Sequence, residues 1–499
     1  MEAFQNALYG FSVALNPTNL FYCFLGCLIG TLVGVLPGFG PAAALSLLLP
    51  VTFRLDVTGA IIMLAGIYYG AMYGGSTTSI LVNIPGETAS VITCLDGYQM
   101  AKQGRAGPAL GIAAFASLIA GTLSVVSLMF LAPLLAEAAL RFGPAEYFTL
   151  MIMSLALVTY LTRGSMIKGL MMASLGMILG AIGSDPLTGR LRFAYDIKVL
   201  RDGLGIVPVL IGLFGVSEVL SSLVTKEAQD VVKTKLRGLL PTRRDWKVSS
   251  LPILRGSLLG FFMGILPGIG LAIPTFVSYG LEKKLSRNPE RFGTGAIEGV
   301  AAPEACNNAT SVGHFVPMLS LGIPTTGTMA LFLGALILHG IQPGPLLIQN
   351  RPDIFWGLIS SMYIGNITLL ILNLPLIAIW VQVLRVPYTY LFPLILLFCL
   401  IGVYTLNNLI DEIAIMIIFG AFGYLLKYFS YESPPLILGF VLGTMIESRF
   451  RQSLTISQGS FLIFVSSPIA LIFLLVTFLI LASGLLPHIG VAFKRPKSH

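Results

Sequence analysis

Ionisable and amide side chains are scarce in this sequence, and several fall inside long apolar runs. Glu87 follows an Ile-Pro-Gly break and Asp96 lies farther on, while Glu298 and Glu304 flank a turn before Asn307-Asn308-Ala309-Thr310-Ser311, with His314 just beyond. Two polar clusters, GGSTTS at Gly74–Ser79 and EACNNATS at Glu304–Ser311, each precede an Ile-Pro dipeptide, Ile84-Pro85 and Ile323-Pro324, with Thr325, Thr326 and Thr328 after the second. Polar groups at membrane depth face a cavity or a partner helix, and small hydroxyl residues also glue helices together. Carbonyls freed at a broken helix can hold sodium, whereas a proton relay wants a buried carboxyl group. Ser79, Asn83, Glu87, Glu304 and Ser311 are therefore candidates for holding a coupling ion, and Asp96 reads as an interfacial acid that tunes solubility.

A second kind of motif occurs twice. GVLPGFGP stands at Gly34–Pro41 and GILPGIGL at Gly264–Leu271. A proline flanked by glycines removes a backbone donor and admits positive φ, so each run ends one helix and permits a tight reversal. The half-helix that follows offers unpaired N–H groups and a partial positive charge, which suits an anion. The candidate substrate-binding set is thus Pro37, Gly38, Phe39 and Gly40 at the first tip, and Pro267, Gly268, Ile269 and Gly270 at the second. The polar clusters add Gly75, Ser76, Thr77, Thr78, Asn307, Asn308, Pro324, Thr325 and Thr326.

These residues must be held by helices in a bilayer. The 499-residue chain is 56% hydrophobic and 10% charged, with a mean hydropathy of +0.88, whereas soluble domains carry roughly a quarter charged residues. Leu110–Leu135, Val207–Leu223, Phe355–Val383 and Phe461–Leu485 are each long enough as helices to cross a ~30 Å hydrocarbon layer. Their apolar runs are continuous, not alternating, which excludes a β-barrel. The fold class is an all-α polytopic membrane protein with about 10–12 transmembrane segments.

The N-terminal MEAFQNALYG carries no basic segment of the kind that opens a cleavable signal peptide. Cys23, Cys27, Cys94, Cys306 and Cys399 form no CxxC pair and read as small buried hydrophobes. No HExxH and no GxxxxGK[ST] occurs, so neither a zinc protease nor an ATP-driven pump is supported, and no cofactor or metal is expected. The net charge of +8 reports cytoplasmic loops, and the absence of a basic stripe with interleaved aromatics argues against nucleic acid.

The basic clusters Lys226–Lys247 and Glu282–Arg291 both belong to the cytoplasmic side, so the block Leu251–Leu281 between them returns on itself as a hairpin whose arms look like half-helices. The first hairpin, residues 20–53, has almost no flanking charge and suits the external side. Alternation then puts Lys102, Arg105, Arg163 and Lys168 inside, and Arg141 and the loop Asp185–Asp202 outside. In the second half Arg385, Lys427 and the terminal Lys494–Lys497 fall inside, while Arg351, Asp411, Arg449 and Arg451 fall outside. The loop around Gly183–Arg190 reads as a turn with Asp185 and Arg190 solvated.

Four segments follow: a first repeat, 1–225, with hairpin 20–53; a basic linker, 226–250; a second repeat, 251–455, with hairpin 251–281; and an added helix with a basic tail, 456–499. Tyr73–Ser90 matches Asn307–Ser311 plus Leu321–Thr328 if about seven residues are inserted near His314. RFGPAEYFTLMIMSLALVTYL likewise parallels RVPYTYLFPLILLFCLIGVYTL. Two related halves that begin on opposite faces describe an inverted repeat, and broken helices at corresponding positions point to a transporter's central site.

The runs GVLPGFGPAAALSLLLP, YYGAMYGGSTTSILVNIPGE, DGYQMAKQGRAGPALGIAA and EGVAAPEACNNATS resemble the large membrane subunit, TctA, of the tripartite tricarboxylate transporters over nearly the whole chain. The resemblance implies a bacterial inner-membrane secondary transporter that takes up di- or tricarboxylates on a sodium or proton gradient. It also implies a small four-helix membrane subunit and a periplasmic solute-binding protein as partners. A homo-oligomer is compatible with the sequence. Two departures, GIPTTGT after the second break and EACNNATSVGH in place of a run richer in alanine and glycine, bear on which carboxylate fits. The alternative reading is a polytopic membrane enzyme acting on a lipid or small anion, with Glu298, Glu304 and His314 as acid and base; the repeat argues against it.

Overall fold

The computed structural model describes residues 2–36, 40–161, 165–185, 188–224, 238–384 and 388–492. It is 79% helical. Among the described residues seven helices are long and apolar enough to span a membrane, accompanied by shorter apolar helices such as Pro41–Thr52 and Gly327–Leu338. The chain is a multi-pass, all-α membrane protein.

Each half is organised around a hairpin and a core helix. The first long arm, Pro17–Val35, lies against the first core helix, Val57–Val82; the second, Arg243–Ile265, lies against Glu298–Gly313, which Phe315–Leu321 continues. Glycine makes both contacts. A Cβ at Gly26, Gly30 or Gly34 would run into the carbonyls of Met63, Ile67 and Ala71, and one at Gly256, Gly260 or Gly264 into those of Ala302, Cys306 and Thr310. Without a hydrophobic force between helices in lipid, such close backbone approach supplies the van der Waals packing that holds them.

These contacts also set the register between the halves. Met63 corresponds to Ala302, Ile67 to Cys306 and Ala71 to Thr310, and the same offset brings Asn83 onto Gly322, the two left-handed residues that end the core helices at φ 61° and 72°. Pro85 then corresponds to Pro324, and Glu87 to Thr326, each an N-cap after its break. No residue is inserted near His314. The expected match of GGSTTS with NNATS is therefore out of register: NNATS stands where Tyr68–Met72 stands in the first half. The two core helices run antiparallel, since Tyr68 bonds His314 while Ser76 bonds Glu304.

Two features of the hairpins differ from the expectation. The long arms are full spans, of 19 and 23 residues, and only the second arms are short: Pro41–Thr52 and Ala272–Leu285, of 12 and 14 residues. The second long arm also begins inside the segment read as a linker, because Thr242 and Asp245 form a capping box that starts the helix at Arg243. Arg255 donates to both carboxylate oxygens of Glu282 at 2.6 Å and clamps the second hairpin.

Pairs of polar groups at the bundle's ends join segments that the charge pattern puts on one side. Arg105 meets Asp245 at 3.1 Å, Thr58 meets Asp353 at 3.1 Å, and Arg451 meets Asp185 at 3.0 Å. The additional C-terminal helix is Pro468–Ala492. It lies on Pro144–Leu161.

The glycine contacts make a prediction. Gly30→Ala, whose new methyl would sit 2.5 Å from the Ile67 carbonyl, is expected to cost about 1–3 kcal/mol as an overpacked contact. Gly280→Ala, with nothing within 4 Å, is expected to be neutral or to gain up to about 1 kcal/mol of helix propensity. Thermal unfolding of the detergent-purified variants checks this; equal melting temperatures would remove the argument.

Candidate functional site

A buried polar network joins the two core helices. Glu304, 1% exposed, accepts from the Ser76 hydroxyl on one oxygen and from the Thr93 hydroxyl on the other. One helical turn on, Asn307 donates to Glu87 Oε1 at 3.0 Å, and Glu87 Oε2 takes the Ala89 amide at 2.6 Å as the cap of the turn Thr88–Val91. Asn308 donates to Ser117 Oγ at 2.6 Å on the helix Ala106–Ala139. Residues 304, 307, 308 and 311 recur at helical spacing on one face. The face is polar because it meets Gly75 and Ser76, residues small enough to let the carboxylates in; a Cβ at Gly75 would touch the Glu87 side chain.

The breaks hold the ends of the long arms. Thr78 Oγ1 donates to the Val35 carbonyl at 2.7 Å, where the first long arm ends, and Gly86 lies directly against the Gly34 carbonyl. In the second half the Gly268 amide donates to the Thr325 carbonyl at 2.8 Å. Gly268 and Gly270 have φ of +85° and +64°, so this tip uses the conformational freedom of its glycines. Each short arm packs on its own core helix and also reaches the other half: Pro41–Thr52 lies beside Gly327–Leu338, and Ala272–Leu285 beside Thr88–Val91. Thr52 Oγ1 and His339 Nε2 are 3.0 Å apart, so the first of these pairs runs in one direction with both N-termini pointing the same way. Neither short arm has a side-chain cap; Pro41 brings no N–H and the Ala43 and Ala44 amides turn to the Gly40 carbonyl, so Ala42 supplies the amide at the first start, and Ala272 and Ile273, before Pro274, supply those at the second.

The sequence-derived candidates separate into groups. Gly75, Ser76, Glu87, Glu304, Asn307 and Asn308 share the network. Thr77 lines a cavity of about 10 Å³ with Tyr73, Ser117 and Asn373, a volume that admits about one water. Thr325 and Gly268 meet at the second tip, with Pro267 and Ile269 half-buried beside Gly268 and Pro324 buried before Thr325. Gly40 caps the first short arm and Thr326 caps Gly327–Leu338. Thr78 secures the end of the first long arm, Ser79 and Ser311 spend their hydroxyl protons on the Gly75 and Asn308 carbonyls, and Asn83 ends its helix exposed. Pro37, Gly38 and Phe39 lie outside the described residues.

Sequence reasoning passed over Thr93, Ser117, Tyr68 and Tyr73. Ser117 and Thr93 are lone hydroxyls whose partners are far along the chain, so no local spacing marks them. Tyr68 OH lies 2.8 Å from His314 Nδ1. Buried polar atoms without a hydrogen-bond partner among the described residues include Asn307 Oδ1, Thr325 Oγ1, His314 Nε2, Tyr73 OH and, beside the Thr77 cavity, Asn373 Oδ1. Buried groups of this kind cost about 1–3 kcal/mol each unless something else engages them.

Two acids were misread. Asp96 is fully buried and ties the loop before the second core helix, its Oδ1 accepting from the Gly293, Gly295 and Ala296 amides at 2.8–2.9 Å and its Oδ2 from Tyr279 OH at 2.8 Å. Asp185 is 5% exposed and is bound by Arg192 and Arg451, so the loop it belongs to is anchored. The acid–base set of the enzyme reading is dispersed. Ten residues of helix, about 15 Å, separate Glu304 from His314, and Glu298 faces Arg291 at 3.7 Å. Among the described residues no group of three His, Cys, Asp or Glu could hold a metal.

Residues 20–438 match the family model described as the tripartite tricarboxylate transporter TctA family. The chain belongs to this family. It is 46% identical over 489 residues, 98% of its length and 97% of the relative's, to an uncharacterized 52.8 kDa protein in the TAR-I ttuC' 3' region of Agrobacterium vitis. A second protein of that organism, uncharacterized and in the TAR-II ttuC' 3' region, is 48% identical over 230 residues, 46% of this chain and 95% of that one. No solved structure matches. As a TctA-family member the chain is a membrane component of a tripartite tricarboxylate transporter, which associates with the other components of such a system.

Asp96 offers a direct check of how the site is held. Asp96→Ala strands three amide donors and a phenol, and is expected to lose about 3 kcal/mol or more; Tyr279→Phe removes one bond and is expected to lose about 1 kcal/mol. Melting temperatures of the two variants in detergent give the comparison, and an Asp96→Ala protein as stable as wild type would contradict the assignment.

Proposed function

We propose that the chain is the translocating subunit of a secondary active uptake system for small organic di- or tricarboxylates. It sits in the inner membrane beside a small four-helix subunit and receives substrate from a periplasmic solute-binding protein. Membership in the family supports the transporter class. The antiparallel core helices and the shared register support reading the two halves as an inverted repeat, with the site between them.

The observation that carries the reading is the buried network of Glu87, Glu304, Asn307 and Ser76 between two broken helices. Donors for a carboxylate guest come from the uncapped short-arm N-termini, from the Thr325 hydroxyl and from the second amide N–H of Asn307. The two glutamates have a different task. A buried carboxylate without a counter-charge costs several kcal/mol, and an anionic substrate brought beside two such groups raises that cost. A sodium ion or a proton taken up by the glutamates removes the conflict. Cation first, carboxylate second, is then the favourable order, and this order is what couples substrate to gradient. Movement of one bundle against the other around the hairpins would carry both across.

The test is uptake of radiolabelled citrate, tartrate or phthalate into vesicles holding the chain, its small membrane partner and a binding protein, with imposed sodium or proton gradients. Accumulation under one gradient is expected in wild type. Glu304→Gln is expected to bind substrate while losing at least tenfold of gradient-driven accumulation, because a neutral amide needs no cation. Undiminished gradient dependence in both Glu304→Gln and Glu87→Gln would overturn the coupling assignment. Failure of every carboxylate under every gradient would overturn the function.

A further inference from the structure

A cavity of about 590 Å³ opens near the bundle end that carries Arg141, Arg351 and Arg451, the side that the charge pattern makes external. Its volume falls in the range of small-molecule sites. Phe142, Tyr147, Ile323 and Ile337 give it apolar walls, Asn350 stands at the loop side, and Arg449 lines it from the helix Ser433–Ile456.

Arg449 differs from its neighbours in charge balance. Arg192 and Arg451 are both satisfied by Asp185 and Glu447, in a network of two acids and two bases. Arg449 has no carboxylate within ion-pair distance among the described residues. Its Nη1 donates to Gln452 Oε1 at 3.0 Å, and its guanidinium stands 5.4 Å over the Tyr147 ring. The cation is half-buried, its planar fork held in place, with the nearest acids already engaged. A guanidinium in that position binds a carboxylate in bidentate fashion, and the apolar walls favour a guest with a hydrocarbon body.

The cavity adjoins the candidate site. Ile323 forms part of its wall, and two residues on, Thr325 holds the second hairpin tip through Gly268 and keeps an unpartnered buried hydroxyl. We infer that this cavity is the outer vestibule of the transporter, in which Arg449 takes the carboxylate before it passes the second isoleucine-proline break. The inference rests on the carboxylate-uptake reading and adds to it an entry route and a specificity-determining residue.

Leu346, 50% exposed on the cavity wall, provides a reporter. In the purified full chain, Leu346→Cys is labelled with a maleimide and the rate above the wild-type background is read with citrate, phthalate, sulfate or phosphatidylglycerol vesicles added. Citrate or phthalate is expected to slow labelling at least threefold. Adding Arg449→Gln is expected to abolish that protection, and Arg449→Lys to restore part of it. In the uptake assay Arg449→Gln is expected to raise KM at least tenfold with Vmax near wild type. Asn350→Asp, an exposed change that puts a negative charge on the wall, is expected to raise KM as well and serves if Arg449→Gln does not fold.

Protection and KM unchanged by these variants would overturn the inference while leaving carboxylate uptake intact. Equal protection by sulfate, or protection by the anionic lipid alone, would overturn it too. Arg449-dependent protection by citrate, in a system that accumulates no carboxylate, would keep the site and overturn the transport reading instead.

Discussion

A helix that ends away from open water leaves backbone groups that other protein groups must satisfy. This chain ends four helices at buried or half-buried positions, two long arms and two core helices at their isoleucine-proline breaks, and it meets the requirement by setting the end of each long arm against the break of its own half. Thr78 and Gly86 take the end of the first long arm, and Thr325 takes the Gly268 amide. The short arms, packed on their own core helices, also touch the opposite half. Broken segments that would each be costly alone thus form one interlocked centre, and the glycine stripes on the long arms bring the helices close enough for it to form.

The same constraint explains where polarity is permitted. Glu87 and Glu304 are tolerated because Ser76, Thr93, Asn307 and the Ala89 amide engage their oxygens. Asp96 is tolerated because three amides and a phenol converge on it. On the proposed function the difference between them is one of task. Asp96 is saturated and fixes a loop, whereas the glutamate network adjoins side chains with unspent hydrogen-bonding capacity, Asn307 Oδ1 and Tyr73 OH among them. A structural knot needs no such remainder; a binding site does.

Much of this was legible in the sequence, for local reasons. The Pro-Gly runs break helices wherever they occur, and hydrophobic length alone identifies the spanning segments. The register of the two long-arm and core-helix contacts was not legible, because GGSTTS and NNATS resemble each other in composition while that register is set by glycines on the partner helices. Asp96 and Asp185 were misplaced for a related reason: the amides of residues 293–296 and the Arg451 guanidinium that engage them come from far along the chain, beyond the reach of local spacing, although Arg192 adds a nearer partner to Asp185. The start of the second long arm at Arg243 was signalled by Thr242 and Asp245, but a dense basic cluster masked it.

On the proposed function, paired broken helices from the two halves make one carboxylate site beside the glutamate network. A density map of the chain with its membrane partner, prepared with citrate and sodium, decides whether they do. Citrate is expected between the halves, with its oxygens within hydrogen-bond distance of Asn307 or Thr325 and of a short-arm N-terminus. A citrate bound on one half alone, away from both Ile-Pro breaks, would contradict it.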